Sequence, residues 1–88
     1  MKWQFLNTKK ARQSVKRGWT RAEIDDTLNN PAETKAMTWL GTSDPATVYY
    51  RTDGHYIVRN DVTGDIFHMS DVNDPGWIDP FGHVVKPR

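Results

Sequence analysis

The hydrophobic period of this chain changes midway, and that change limits the folds open to it. Up to Asn30 the apolar residues recur at helical spacing, whereas from Ala46 onward they alternate. A helical pattern does not settle as a strand, nor the reverse, so the chain must join helices to a sheet. Ala46-Thr47-Val48-Tyr49-Tyr50-Arg51 reads as a strand and Asp53-Gly54 as a two-residue hairpin turn. His55-Tyr56-Ile57-Val58-Arg59 is the returning strand. A second turn at 60–64 leads to a third strand over 65–70, and His83-Val84-Val85 suits a last short one.

The first half supplies two short helices. Residues 7–17 read as a basic helix capped by Asn7 or Thr8 and closed by Gly18, where a left-handed residue is wanted. Its only apolar residues are Ala11 and Val15, four apart, so it must dock on something else to be stable. The second helix starts at Thr20-Arg21-Ala22-Glu23, a capping box in which the threonine oxygen takes the Glu23 amide and Glu23 reaches back. Ile24 and Leu28 lie on its buried face, Asn29-Asn30-Pro31 ends it, and Trp19 can fold back on Glu23 and Ile24 as a staple. Residues 32–45 read as a loop anchored by Trp39-Leu40. Helices followed by an antiparallel meander imply an α+β fold, with helices on one face of a twisted sheet and the other face partly open.

Composition narrows the function classes. At 88 residues the chain is a single domain over 1–88, able to bury only about 60% of its unfolded surface. Four Trp, three Tyr and three Phe make a compact core feasible despite few aliphatics. With no cysteine there is no disulfide framework, no Cys-based zinc site and no thiol catalysis. No apolar run is long enough to span a bilayer, and Met1 to Asn7 is too short and polar for a signal peptide, so no membrane anchor is expected.

The net charge of +1 hides a strong asymmetry. Residues 1–22 carry seven cations and no acid, whereas from Glu23 onward eleven acids face five cations. A polyanion would therefore meet a biased surface on a nearly neutral molecule. His55, His68 and His83 have no ligand pairing at metal-binding spacing, and consecutive Asp25-Asp26 do not converge, so neither a metal nor another cofactor is expected. No phosphate-cradling glycine loop, nucleophile elbow or dinucleotide fingerprint is present. What remains is cations with aromatics, the combination that holds phosphates and stacks on unpaired bases. Read from the residues alone, this describes a small domain that binds or cuts RNA.

Four stretches carry a resemblance. Arg17-Gly18-Trp19-Thr20 opens a capped helix, and Leu40-Gly41-Thr42-Ser43-Asp44-Pro45-Ala46-Thr47-Val48-Tyr49 precedes the hairpin. Tyr56-Ile57-Val58-Arg59-Asn60-Asp61-Val62-Thr63-Gly64 follows, and then Ser70-Asp71 with Asp74-Pro75-Gly76-Trp77-Ile78-Asp79. In order and spacing, over about residues 9–79, they resemble the colicin E5-type ribonuclease domains. That resemblance implies a barnase/RelE-like fold and a metal-independent endoribonuclease. Its substrate would be the anticodon loop of the tRNAs for Tyr, His, Asn and Asp. It further implies the C-terminal piece of a longer colicin or contact-dependent inhibition toxin, secreted or delivered from the cell surface. Such a toxin acts in the cytoplasm of a target bacterium and has a cognate immunity protein, expected here to be acidic.

The resemblance also implies site residues. A catalytic lysine eight positions before the Arg-Gly-Trp arginine falls on Lys9, the arginine is Arg17, and a second lysine falls on Lys35 in a loop of different length. Substrate-binding positions fall on Met69 and Trp77. Arg17 suits the phosphate oxygens, since a guanidinium does not deprotonate. Lys9, among other cations, is expected to have a lowered pKa suited to proton transfer, and Lys35 to touch a second phosphate or the leaving group. His68 stands where the relative has glutamine and is expected to face opposite Phe67 and Met69. It acts as general acid or base if it points to the open face. His55, at the hairpin turn, is expected to be solvated. The alternatives are a non-catalytic single-stranded RNA-binding module, or a toxin with another RNA substrate.

Overall fold

A computed structural model describes residues 3–38, 43–74 and 77–78 of the chain. The elements run β1 (Gln4–Phe5), α1 (Thr8–Lys16), α2 (Arg21–Asn29), β2 (Glu33–Thr38), β3 (Pro45–Tyr50), β4 (Tyr56–Asn60) and β5 (Asp65–Met69). All five strands form one sheet in the order β1-β5-β4-β3-β2. Strands β2 to β5 pair antiparallel, β3 with β4 and β4 with β5 as the turn signals require, while β1 lies parallel to β5 through Gln4↔Asp65 and Phe5↔Ile66. The fold is α+β as expected, with a mixed rather than a purely antiparallel sheet.

Both helices begin and end where their capping residues dictate. Asn7 accepts the Lys10 amide at 3.0 Å, and Thr20 and Glu23 complete the capping box of α2. At the end of α1 the Gly18 amide bonds the Val15 carbonyl and the Trp19 amide the Ser14 carbonyl, a Schellman closure. Its left-handed residue is Gly18, at φ +84°. Gly54 and Gly64, with φ of +90° and +79°, take the same role in the two turns between strands.

Residues 33–38 are a strand, not part of a loop. They pair with β3 along their full length, from Glu33↔Tyr50 to Thr38↔Pro45. The sequence Glu33-Thr34-Lys35-Ala36-Met37-Thr38 holds little apolar material, so its alternation is carried by the half-burial of Lys35 and Met37 alone. The anchor at Trp39-Leu40 and the strand over 83–85 lie outside the described residues.

The sheet has a core on each face. On the helix side Trp19, Ile24 and Leu28 pack with Ile57, Ile66 and Met69. Trp19 thus reaches Ile24, but as a buried core residue whose Nε1 donates to the Ser70 carbonyl at 2.7 Å, rather than as a surface staple. The opposite face, expected to be partly open, carries a second buried cluster of Ala46, Val48, Tyr50, Tyr56, Val58 and Phe67, with Met37 and Trp77 against it. A β-bulge decides which residues of β5 belong to which face. Val58 pairs with His68 and Arg59 with Ile66, leaving Phe67 as the extra residue. His68 therefore shares its face with Phe67 and lies opposite Ile66 and Met69, so strict alternation fails at one step.

Candidate functional site

The C-terminal end of α1 is fastened to the end of β5 by polar bonds. Strand β1 pairs β5 only at Asp65 and Ile66, which leaves later main-chain groups of that segment to other partners. Arg17 Nη1 donates to the Met69 carbonyl at 2.6 Å, Trp19 Nε1 to the Ser70 carbonyl, and the Val72 amide to the Arg17 carbonyl at 2.9 Å. A guanidinium offers five N–H donors. One is committed to Met69, and the plane that carries the others lies over Trp77, with Cζ 4.8 Å from the ring centroid.

Beyond Trp77 the aromatic contacts continue across the sheet. His68 stands 6.0 Å from Trp77, Tyr56 stands 5.8 Å from His68, and Tyr50 stands 5.8 Å from Tyr56, centroid to centroid. Lys35 Nζ closes the row, 5.4 Å from the Tyr50 centroid. A polar chain runs beside the rings: Trp77 Nε1 donates to the Tyr56 hydroxyl at 2.9 Å, and that oxygen lies 3.3 Å from His68 Nε2. Since the hydroxyl accepts from Trp77, its own proton is available to an unprotonated Nε2.

The charges here interact. Burial first, then Arg17 and Lys10, push the His68 imidazole down to about 4, so it is neutral at neutral pH. Lys10 is likewise held below the usual lysine range, by burial first and then by Arg17 and Lys9. The reason it is Lys10 that senses Arg17 and His68 lies in helix geometry. Seven residues at 3.6 per turn return to within about 20° of the same face, while eight overshoot by about 80°. Lys10 therefore shares the inward face with Arg17, and Lys9 is exposed beside it, lining an outer cleft with Thr8, Arg12, Gln13 and Lys16.

The structure thus joins Arg17, His68 and Trp77, adds Lys10 and Tyr56, brings in Met69 through its main chain, leaves Lys9 on the neighbouring outer face and sets Lys35 apart. Met69, expected to touch substrate, has a fully buried side chain in the helix-side core, and what it gives the site is its main-chain carbonyl. Lys35 sits on β2, three inter-strand steps or about 14 Å from β5, and is not beside Arg17. Trp77 is half-buried under Arg17, a platform for the guanidinium. His83 lies outside the described residues. His55 is not solvated: it is 0% exposed, with Nδ1 2.8 Å from Ser70 Oγ. The sequence carried a signal for Lys10, its seven-residue spacing from Arg17, but none for Tyr56, which reads as an ordinary strand aromatic.

Comparison with known proteins adds a family. The family model described as the Colicin E5 ribonuclease domain matches residues 6–82. Colicin-E5 of Escherichia coli is 40% identical over 77 residues, covering 76% of this chain and 42% of that protein. A protein of Burkholderia pseudomallei named tRNA nuclease CdiA is 37% identical over 71 residues, covering 70% of this chain and 6% of that protein. The chain therefore spans less than half the length of either relative.

Proposed function

Because this chain belongs to the Colicin E5 ribonuclease domain family, we propose that it is a toxin endoribonuclease that cuts tRNA in the anticodon loop, by attack of the neighbouring 2′-hydroxyl and without a metal ion. The observation that carries this reading is the convergence of Lys10, Arg17, His68 and Trp77 where α1 meets β5. In the reaction the 2′-oxygen attacks phosphorus and the bond to the 5′-oxygen breaks. The 2′-proton passes to a base, the leaving 5′-oxygen gains a proton, and a cyclic phosphate and a 5′-hydroxyl result.

Arg17 is pre-positioned for the phosphate oxygens, because the Met69 carbonyl and the Trp77 ring fix its plane before any substrate arrives. The lysine pair divides the remaining work. Lys10, held below the usual lysine range by burial and by Arg17 and Lys9, moves the proton. Lys9 contributes charge, both to the RNA and to the lowering of Lys10. His68 and Tyr56 support Trp77 from beneath, and a phosphate arriving near His68 raises its affinity for a proton. Lys35, at the far end of the aromatic row, meets a neighbouring phosphate rather than the one being cut. The domain is read as the payload of a longer secreted or surface-delivered protein, acting in the cytoplasm of a target bacterium and held inactive by an acidic immunity protein.

The test is incubation of the purified domain with total bacterial tRNA in EDTA, with cut ends mapped by sequencing. Cuts after the first anticodon nucleotide of the Tyr, His, Asn and Asp tRNAs are expected. Cuts elsewhere would leave a ribonuclease with another substrate. Intact tRNA after incubation with folded protein would sink the enzymatic reading.

A further inference from the structure

Helix α1 violates the local rules for a stable surface helix, and every violation has the same sign. Its first turn holds no acid, so Lys9 and Lys10 face the positive end of the helix dipole unopposed. Lys9, Arg12 and Lys16 stand at intervals of three and four residues, the spacing at which like charges repel along one face. None of these three takes part in an ion pair among the described residues. Against this, α1 buries one side chain completely, that of Ser14. An ordinary solvated helix mixes charges of both signs, and local rules left broken without compensation mark functional or strained sites.

The outer face is also shaped. Thr8, Lys9, Arg12, Gln13 and Lys16 line an open cleft of about 390 Å³. Gln13 Oε1 is buried there with no hydrogen-bond partner among the described residues. From Lys9 to Lys16 the helix rises about 10 Å, enough to run beside roughly three phosphates of a stacked strand at 3.4 Å each. Lys9 marks where this stripe meets the inward face that carries Lys10 and Arg17.

We infer that the outer face of α1, through Arg12 and Lys16 together with Lys9, is a second binding site that grips the RNA backbone beyond the nucleotides being cut. A nucleic acid strand is favoured over an acidic protein because the stripe is continuous through Lys9 with the site assigned to the scissile phosphate. The identity of the strand rests on the proposed function; the existence of a phosphate-binding stripe does not.

The experiment measures binding separately from cutting. The probe is an anticodon stem-loop with a 2′-deoxy residue at the scissile nucleotide, titrated at several salt concentrations with the wild-type domain and with Arg12→Ala/Lys16→Ala. Two lost phosphate contacts predict a salt slope smaller by about 1.4 to 1.8, with affinity at low salt down about tenfold or more. The charge-preserving Arg12→Lys/Lys16→Arg should keep the wild-type slope, which separates charge from a folding defect. Cleavage of unmodified stem-loop by Arg12→Ala/Lys16→Ala should show the same loss as a raised KM. Should no variant cleave RNA while the slope still falls, the stripe stands and the enzymatic reading fails. An unchanged slope and affinity would overturn the inference, as would loss confined to binding of an acidic protein.

Discussion

Arg17 reaches Met69 through its side chain, and Met69 answers with its main chain, Nη1 meeting the carbonyl oxygen at 2.6 Å. The bond fixes the guanidinium at the junction of α1 and β5, and Trp77 supports its plane. In the proposed reaction a planar fork held at two points does not need to be ordered by its substrate, and such preorganisation would make it effective toward a developing phosphorane.

Replacing Arg17 should therefore affect activity and stability unequally. Arg17→Lys keeps a charge but loses the planar fork and the stack, so kcat on a stem-loop should fall by about 10²- to 10³-fold. The Met69 carbonyl would lose its designed partner, at a cost of about 1–2 kcal/mol visible in a thermal melt. Equal turnover by both proteins would remove Arg17 from the phosphate.

The lysine pair should separate in a pH profile. Lys10→Ala should abolish most turnover in a folded protein. Lys9→Ala removes one of the positive charges that lower Lys10, so besides reducing activity it should move the Lys10 limb of the profile to higher pH. A limb that stays in place in Lys9→Ala would show that another group titrates.

Stability should depend on pH through His68. Its folded value of about 4 lies below the ordinary 6.5, so the folded state favours the neutral ring. Above pH 6.5 neither state binds the proton and the contribution is complete. As the pH falls from 6.5 to 4 the unfolded chain takes up a proton that the folded one refuses, and stability is lost. The ceiling is about 3 kcal/mol. His68→Gln should flatten denaturant-derived stability over that window, and an identical slope in the variant would contradict the assignment.

Ser70 offers a test of the buried scaffold. Its hydroxyl accepts the Tyr56 amide at 3.0 Å and contacts His55 Nδ1, all at buried positions. Ser70→Ala removes both buried contacts, and the melt should show a loss of about 2–3 kcal/mol. A loss within 0.5 kcal/mol, roughly that of a neutral surface change, would mean that water replaces the hydroxyl.

Features with a local cause could be read from the sequence. The caps at Asn7 and Thr20 and the turns at Gly54 and Gly64 each follow from one side chain or one missing Cβ. Features decided at long range could not. Strand β2 exists because β3 offers it a register, β1 because β5 has a free edge, and His55 is buried because Ser70 closes over it. The site divides in the same way. Arg17 and Trp77 were legible through motif resemblance. The bulge that turns His68 toward Phe67, and the inward phase of Lys10, required the folded chain.

The shallow seating of α1 has a consequence for how such a domain can change over generations. With Ser14 its only fully buried side chain and its fastenings clustered at Arg17 to Trp19, the helix owes little to the identities along its outer face. The partner of Arg17 is a main-chain atom, present whatever residue occupies position 69. Cations on that face can therefore be gained, lost or moved by single substitutions without disturbing the two cores, and the helix is free to drift under selection while the sheet stays fixed.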